Sequence, residues 1–326
     1  MHGILRFVLA TLVVLSHLGH IGAVNTGVSA VVVFYMLAGY VVTHLLYKHF
    51  PPDRLLAFYA ERILRIYPLY FIFLIIVSAF LFTTEFRGPT FTYEKMLAHL
   101  LIVPLNYYMF LDVSVVRGFC ILPPAWSLGA ELQAYLILPL IIRRHSAKWI
   151  AGFFSLCIFS ASTFGIINSD IWGYRLLPGI VFIFLTGSAI CRTLKAKDAA
   201  DMFDRTFPAI CWAWLVLLLA GLVVTARLPS YSAAVILGFL IGMPVVVFTS
   251  SSSIRLPLND VMGRVSYGLF LIHLPVAWSL EQFFGMPSTS AVAFLLVMAI
   301  SVSLSSIASS SVERLVWPLR RRLTST

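Results

Sequence analysis

The chain has 326 residues, of which 60% are hydrophobic and only 11% are charged, and its mean hydropathy is +0.95. So few charged residues cannot cover a water-exposed surface, which excludes a soluble globular protein. The net charge of +10 lies in short basic clusters between apolar runs. Such clusters are typical of the cytoplasmic loops of membrane proteins, so they do not indicate nucleic-acid binding. We expect an all-α, polytopic membrane protein with a single integral domain, residues 1–326.

The apolar runs predict ten transmembrane helices, because each run can cross a hydrocarbon core of about 30 Å. Both termini are predicted to be cytoplasmic, because this topology keeps the basic clusters inside. The runs lie at 1–23, 28–47, 67–83, 124–142, 149–167, 174–191, 208–226, 231–250, 265–284 and 290–312. Residues 95–110 are apolar but short and contain Pro104. If they crossed, the next span would place the basic residues 143–148 outside, so they are predicted to be re-entrant or interfacial.

Several boundaries follow from local signals. Pro51 and Pro52 should end the second helix, and residues 55–66 should form an amphipathic segment before the third span. Pro318, after the polar sequence at 312–314, should mark a stop at the inner surface. The first run lacks a small-residue cleavage pattern and is interpreted as a retained helix. The four cysteines show no paired spacing, so neither a disulfide framework nor a metal site is predicted.

The first run carries Arg6 and His17, eleven residues apart. Eleven residues make about three helical turns, which places both side chains on one face about 16 Å apart. Ionisable groups inside a membrane are functional candidates by default. The alternatives are that Arg6 is a cytoplasmic anchor and that His17, like His20 one turn further out, is a packed histidine near the outer surface.

Arg62 and Arg65 are three residues apart at the inner end of the third run and therefore share a helical face. Two guanidinium groups on one face suit bidentate binding of phosphate oxygens. Plain cytoplasmic anchoring is the alternative interpretation of this pair.

Glu131 lies about two turns into an otherwise apolar helix, where an unpaired carboxylate would be costly. Ser127 and Tyr135 are four residues to either side on the same face and could hydrogen-bond it. A histidine or arginine of another helix is the natural charge partner. A purely structural buried ion pair remains the alternative to a catalytic role.

His273 lies near the middle of a later span, with Ser266 seven residues earlier on the same face. A histidine in this position is as often a packed, hydrogen-bonded core residue as it is a functional one. Both interpretations stay open.

Five motifs in the same order resemble the acyltransferase-3 family of integral membrane O-acyltransferases, and the resemblance covers essentially the whole chain. They are Arg6-x10-His17, FYMLAGYVV at Phe34–Val42, Arg62-x-x-Arg65 followed by Pro68, WSL-x-x-E at Trp126–Glu131, and the SY-containing run that ends at His273. Two positions depart from the family pattern. Ala38 replaces a serine, and Glu61 stands where an arginine is common, which is expected to weaken the inner basic site.

The resemblance implies transfer of an acyl group, expected to be acetyl, from cytosolic acyl-CoA to a hydroxyl of a glycan or lipid-linked saccharide at a bacterial inner membrane. It implies His17 as general base or acyl carrier and Glu131 as the residue that orients it. The donor would bind Arg6, Arg62 and Arg65. Polar positions that bind substrate or support the structure would be Trp126, Ser127, Tyr135, Ser266 and His273. No metal is predicted, and the oligomeric state, including a homo-oligomer, is left open.

The rival interpretation is a proton-coupled transporter or lipid-linked glycan flippase in which His17 and Glu131 relay protons. Transporters often contain internal repeats with interrupted helices in corresponding halves. This sequence shows one interrupted segment and no counterpart in its second half, which favours the enzyme.

Overall fold

The computed structural model describes residues 1–19, 25–84, 93–110, 121–225, 230–254 and 256–324. In these ranges the chain forms eleven α-helices and no strand. They are α1 (His2–His17), α2 (Thr26–Lys48), α3 (Leu55–Thr84), α4 (Tyr93–Leu101), α5 (Ala125–Ile141), α6 (His145–Thr163), α7 (Leu177–Lys195), α8 (Met202–Val224), α9 (Ser230–Ser251), α10 (Asn259–Phe284) and α11 (Ala291–Thr324).

Seven helices in the described ranges, α2, α3 and α7 to α11, are long and apolar enough to cross a bilayer. Helices α1 and α5 are apolar but shorter. The predicted class, an all-α polytopic membrane protein, is confirmed. Apart from α4, every helix overlaps one of the predicted runs. The number of crossings and the side of each terminus stay predictions.

Two helices are longer than the sequence predicted. Helix α3 is continuous from Leu55 through Pro68, so the amphipathic segment and the third span are one helix. Helix α11 continues beyond residue 312, where the predicted run ended, through Pro318 to Thr324. The polar stop at the inner surface stays a prediction. A proline in a membrane helix is tolerated where neighbouring groups compensate the lost hydrogen bond. Beyond Pro318, Arg320 is also held by an ion pair to α3.

The segment 95–110 contains no helix long enough to span a membrane. Helix α4 has nine residues, about 13.5 Å, and a 3-10 turn at Val103–Tyr107 follows it. His99 is buried and its ring is fixed at both nitrogens, with Nδ1 2.8 Å from the Lys95 carbonyl and Nε2 accepting from the Ile121 amide at 3.1 Å. The Tyr70 hydroxyl donates to the His99 carbonyl at 2.9 Å, so the segment is packed against α3.

The chain divides into two compact units. Unit 1 comprises Met1–His2, Ile21–Tyr59 and Ala130–Arg255, and unit 2 comprises Gly3–His20, Ala60–Gly129 and Leu256–Thr326. In unit 1, α2 and α7 approach closely at two glycines. A Cβ on Gly39 would lie 2.0 Å from the Phe184 carbonyl oxygen, and one on Gly187 would lie 1.9 Å from that of Met36. Small residues permit such contact between membrane helices, which gives Gly39 of the FYMLAGYVV motif a packing role.

In unit 2, α1 and α10 run in the same direction from a shared starting point. The Asn259 side-chain oxygen accepts hydrogen bonds from the backbone amides of Gly3 (3.0 Å) and Ile4 (3.3 Å). His17 lies fourteen residues beyond Gly3, and His273 lies fourteen residues beyond Asn259. Two parallel helices with one starting point therefore bring both histidines to the same level, about 21 Å from the start.

Helix α11 packs antiparallel to α10 in the same unit. The Ser309 hydroxyl donates to the Arg264 carbonyl at 3.2 Å. Further along, a Cβ on Gly268 would lie 2.6 Å from the Ser305 Oγ. This packing brings the basic C-terminal part of α11 beside the first turns of α10.

Candidate functional site

His17 and His273 form a pair in unit 2, with ring centroids 5.3 Å apart and ring planes inclined by 35°. His17 ends α1 and is exposed, whereas His273 is fully buried within α10. Sequence spacing alone did not predict this pairing, because it depends on the common register of two helices that are far apart in the chain.

The hydrogen bonds of His273 determine which of its ring nitrogens carries the proton. Nδ1 lies 2.9 Å from the Phe270 carbonyl and 3.2 Å from the Leu269 carbonyl. Because carbonyl oxygens only accept, Nδ1 must donate, and in a neutral imidazole Nε2 is then an acceptor. The Nε2 atom is buried and has no hydrogen-bond partner among the described residues. Buried polar atoms in folded proteins are nearly always paired, so the packed-core interpretation accounts for one nitrogen and not for the other.

A cluster of arginines lies elsewhere in unit 2, around Glu61. The Glu61 carboxylate forms an ion pair with Arg62 and accepts hydrogen bonds from Arg320 of α11, at 2.6 Å from Nη2 and 3.0 Å from Nε. Glu61 is 1% exposed and Arg62 is 6% exposed. The acidic residue was expected to weaken the basic site. In the structure it holds two arginines of different helices together, and the expected weakening stays a prediction.

Arg65 is a member of the cluster whose guanidinium could bind an anion. It lies within electrostatic range of Arg6, Arg62 and Arg320, while Glu61 is the carboxylate in that range. Within the described part of the chain, Arg65 forms no hydrogen bond or ion pair. The Arg65 guanidinium thus has three guanidinium groups and one carboxylate in its electrostatic range, an excess of positive charge that an anion would stabilise. Of the predicted pair, Arg65 is therefore better placed than Arg62 to bind phosphate.

Glu131 belongs to unit 1, where the Tyr135 hydroxyl donates to its carboxylate. This matches the expected bond from Tyr135. The Ser127 hydroxyl instead donates to the Pro124 carbonyl at 3.0 Å, one turn back along the chain. Glu131 and His17 lie in different units, so orientation of His17 by Glu131 stays a prediction.

Glu131 and Arg175 of unit 1 both lie near the same tyrosine. Both are within electrostatic range of Tyr35, a buried residue of α2. Arg175 ends a π-helical turn at Ile171–Arg175 and pairs with Asp170 at 2.8 Å. Arg175 is thus committed to Asp170, and a charged partner for Glu131 from another helix stays a prediction.

The other predicted positions have structural hydrogen bonds or partial exposure. The Ser266 hydroxyl donates to the Gly263 carbonyl at 3.0 Å. Trp126 is half-buried in α5. Arg6 is half-buried on α1, and His20 lies outside the described residues.

Arg320 was missed because it lies in a C-terminal basic cluster that the sequence analysis interpreted only as a topology signal. The signal that could have found it is Glu61. An acidic residue beside two arginines in an apolar helix needs more than one nearby cation if it is to be buried.

Comparison with known proteins gives one family and one relative. A family model described as an acyltransferase domain matches residues 3–309. A protein of Aquifex aeolicus (strain VF5), described as uncharacterized, is 33% identical over 205 residues, which is 62% of this chain and 91% of that protein. No solved structure matches the chain significantly.

Proposed function

Because this chain belongs to the acyltransferase-3 family of membrane proteins, we propose that it moves an acetyl group from cytosolic acetyl-CoA to a hydroxyl of a cell-surface or exported glycan. One observation carries the proposal. In unit 2, helix α1 connects an arginine cluster, through Arg6, with a histidine pair, through His17. The two ends of the helix thus offer one place for an anionic donor and one for proton transfer, about 16 Å apart.

The arginine cluster suits the donor because coenzyme A carries several phosphate groups. Arg65 has no hydrogen bond or ion pair in the described ranges, and Arg320 of α11, which binds Glu61 through Nε and Nη2, keeps Nη1 for a further acceptor. Guanidinium groups bind phosphate oxygens through paired, charge-assisted hydrogen bonds. The predicted topology puts this end of α1 on the cytoplasmic side, where acyl-CoA is available, and the bacterial inner membrane is the proposed location.

His17 would act on the acceptor hydroxyl. In the direct route its imidazole takes the hydroxyl proton while the oxygen attacks the thioester carbonyl, and the tetrahedral intermediate then expels the CoA thiolate, which receives that proton. General-base catalysis of this kind contributes roughly 10²–10⁴ in rate. In the covalent route the His17 nitrogen attacks the thioester carbonyl and expels the CoA thiolate. The acceptor hydroxyl then attacks the acyl-imidazolium, the imidazole leaves, and the hydroxyl proton passes to the thiolate. The His273 ring lies against that of His17, and its acceptor-only Nε2 would accept a hydrogen bond from the hydroxyl in either route.

The test is acetyl transfer by the purified protein in lipid nanodiscs, with radiolabelled acetyl-CoA and a bacterial envelope glycan extract as acceptor. We expect transfer by the wild type, loss of transfer in His17→Ala, and normal transfer in His145→Ala, a variant of an exposed histidine. Full transfer by His17→Ala would refute its catalytic role. No turnover of acetyl-CoA by the wild type, with Arg65→Ala changing nothing, would favour the transporter or flippase.

A further inference from the structure

A pocket in unit 2 opens between α3, α10 and α11, and all three helices contribute polar residues to its lining. Ser309, Glu313, Trp317 and Arg320 line it from α11. Their spacings of four, four and three residues put them on one helical face. Arg264 and Tyr267, three residues apart on α10, line it as well, and so does Arg65 of α3.

The charges of the pocket do not cancel. Glu313 pairs with Arg264 at 3.2 Å, and Arg320 shares Glu61 with Arg62. Arg65 faces the pocket with no ion-pair partner in the described ranges. A pocket with this excess of guanidinium groups selects an anion, and the bidentate geometry of arginine favours phosphate.

The remaining polar lining groups are already bonded within the protein. The Tyr267 hydroxyl donates to the Ile66 carbonyl at 3.2 Å, and the Ser309 hydroxyl donates to the Arg264 carbonyl. Recognition therefore falls to the arginines and to Trp317, whose side chain lies three residues before Arg320 and is 53% exposed. A tryptophan next to phosphate-binding arginines offers a flat surface on which a nucleobase can stack. Anchoring at the membrane interface is the competing role for Trp317.

We propose that this pocket binds the 3′-phospho-ADP part of the acyl-CoA donor, with phosphates on Arg65 and Arg320 and the adenine against Trp317. This inference rests on the proposed function and moves the donor site away from Arg62. Arg62 and Arg320 both bind Glu61, but only Arg320 lines the pocket. An anionic phospholipid also offers a phosphate to the arginines, but it has no nucleobase to stack on Trp317. The tryptophan therefore favours the nucleotide.

The experiment measures binding of 3′,5′-ADP, which lacks the pantetheine arm and the acyl group, to the full chain in phosphatidylcholine nanodiscs. We expect Arg65→Ala and Arg320→Lys each to weaken binding about tenfold or more. Trp317→Ala should weaken it several-fold, while Trp317→Phe keeps most of it. Arg321→Ala is the matched control, because it removes one charge from the same helix outside the pocket lining. Thermal unfolding of every variant separates lost binding from lost folding.

Several results would overturn the inference. Equal weakening by Arg321→Ala would indicate general charge attraction. Unchanged binding in the folded Arg65→Ala and Trp317→Ala variants would place the nucleotide elsewhere. The third result is a loss of 3′,5′-ADP binding when phosphatidylglycerol replaces phosphatidylcholine. If an excess of nucleotide does not restore binding, the pocket belongs to the lipid.

The proposed function and the pocket can fail separately. Acetyl transfer that 3′,5′-ADP does not inhibit would refute the pocket and leave the function standing. Pocket-dependent binding of 3′,5′-ADP without acetyl transfer would refute the function and leave the nucleotide site.

Discussion

The carboxylate of Glu61 accepts two hydrogen bonds from the guanidinium of Arg320, at 2.6 and 3.0 Å, although the two residues are 259 positions apart in the chain. The same carboxylate pairs with Arg62. This arrangement joins the first turns of α3 to the last turns of α11 and defines one edge of the arginine cluster.

Replacing Glu61 with alanine should destabilise the protein strongly. Removing one partner of a buried charge pair leaves the other charges uncompensated and costs roughly 3–5 kcal/mol. Thermal unfolding in detergent measures the effect. Glu313→Ala is the control, since its pair with Arg264 is more than one third exposed and such pairs contribute about 0–1 kcal/mol. Similar unfolding temperatures for the two variants would contradict the structural role of Glu61.

His273→Phe should lower kcat by about tenfold or more while the KM for acetyl-CoA stays near the wild-type value. Phenylalanine fills a similar volume but removes the Nε2 acceptor from the ring that lies against His17. His273→Gln, whose side-chain oxygen can accept a hydrogen bond, should recover part of the rate. Steady-state kinetics with varied acetyl-CoA give both constants. Equal rates for the folded phenylalanine variant and the wild type would show that Nε2 has no part in the reaction.

Gly39→Ala should greatly reduce the yield of folded protein. The added methyl group would lie 2.0 Å from the Phe184 carbonyl oxygen of α7, and backbone cannot move aside as a flexible side chain can. Gly221→Ala makes the same change in α8, where nothing lies within 4 Å. It should be neutral or stabilise that helix by up to about 1 kcal/mol. Size-exclusion profiles of detergent extracts compare the two, and equal profiles would refute the close approach of α2 and α7.

Asp201 predicts a dependence of stability on pH. It precedes α8, outside the membrane-spanning segments, as the residue that caps the helix. Burial raises the pKa of its carboxyl, but hydrogen bonds from Lys148 and His145 and from the Asp204 amide outweigh this, so the pKa lies below the ordinary 3.8. A carboxyl whose folded pKa is depressed stabilises the fold above its unfolded pKa, and this contribution is lost as the pH falls through the folded pKa.

Asp201→Asn isolates that charge, because asparagine caps helices as well as aspartate does. The wild type should be more stable than the variant above about pH 4, and the difference should shrink as the pH falls further. Chemical unfolding across this range measures it. Because the side chain is 36% exposed, the difference should be modest, about 1 kcal/mol. A difference that grows in acid would contradict the arrangement with Lys148.

The helices could be predicted from the sequence because each apolar run carries its own signal, and the common face of Arg6 and His17 follows from spacing along one helix. The pairing of His17 with His273 depends on which helices are neighbours and on their register, which no local pattern encodes. The last helix runs further than the sequence predicted, through Pro318, because membrane helices tolerate proline where neighbouring groups compensate the lost hydrogen bond. Arg320 was hidden because a basic cluster after a span serves topology in any membrane protein.

Helices α1 and α10 start at the same level, at Asn259, so an equal number of residues along each helix reaches the same height. Deleting one residue between Gly3 and His17 would draw the imidazole back by about 1.5 Å and turn it by about 100° around the helix axis. It would then point away from His273, although no residue of the pair had been changed. A second deletion between Asn259 and His273 would restore the common level, but each ring would then be turned by about 100° about its own helix axis and the two would no longer face each other. The count of residues in these helices is therefore as much a part of the site as the histidines are.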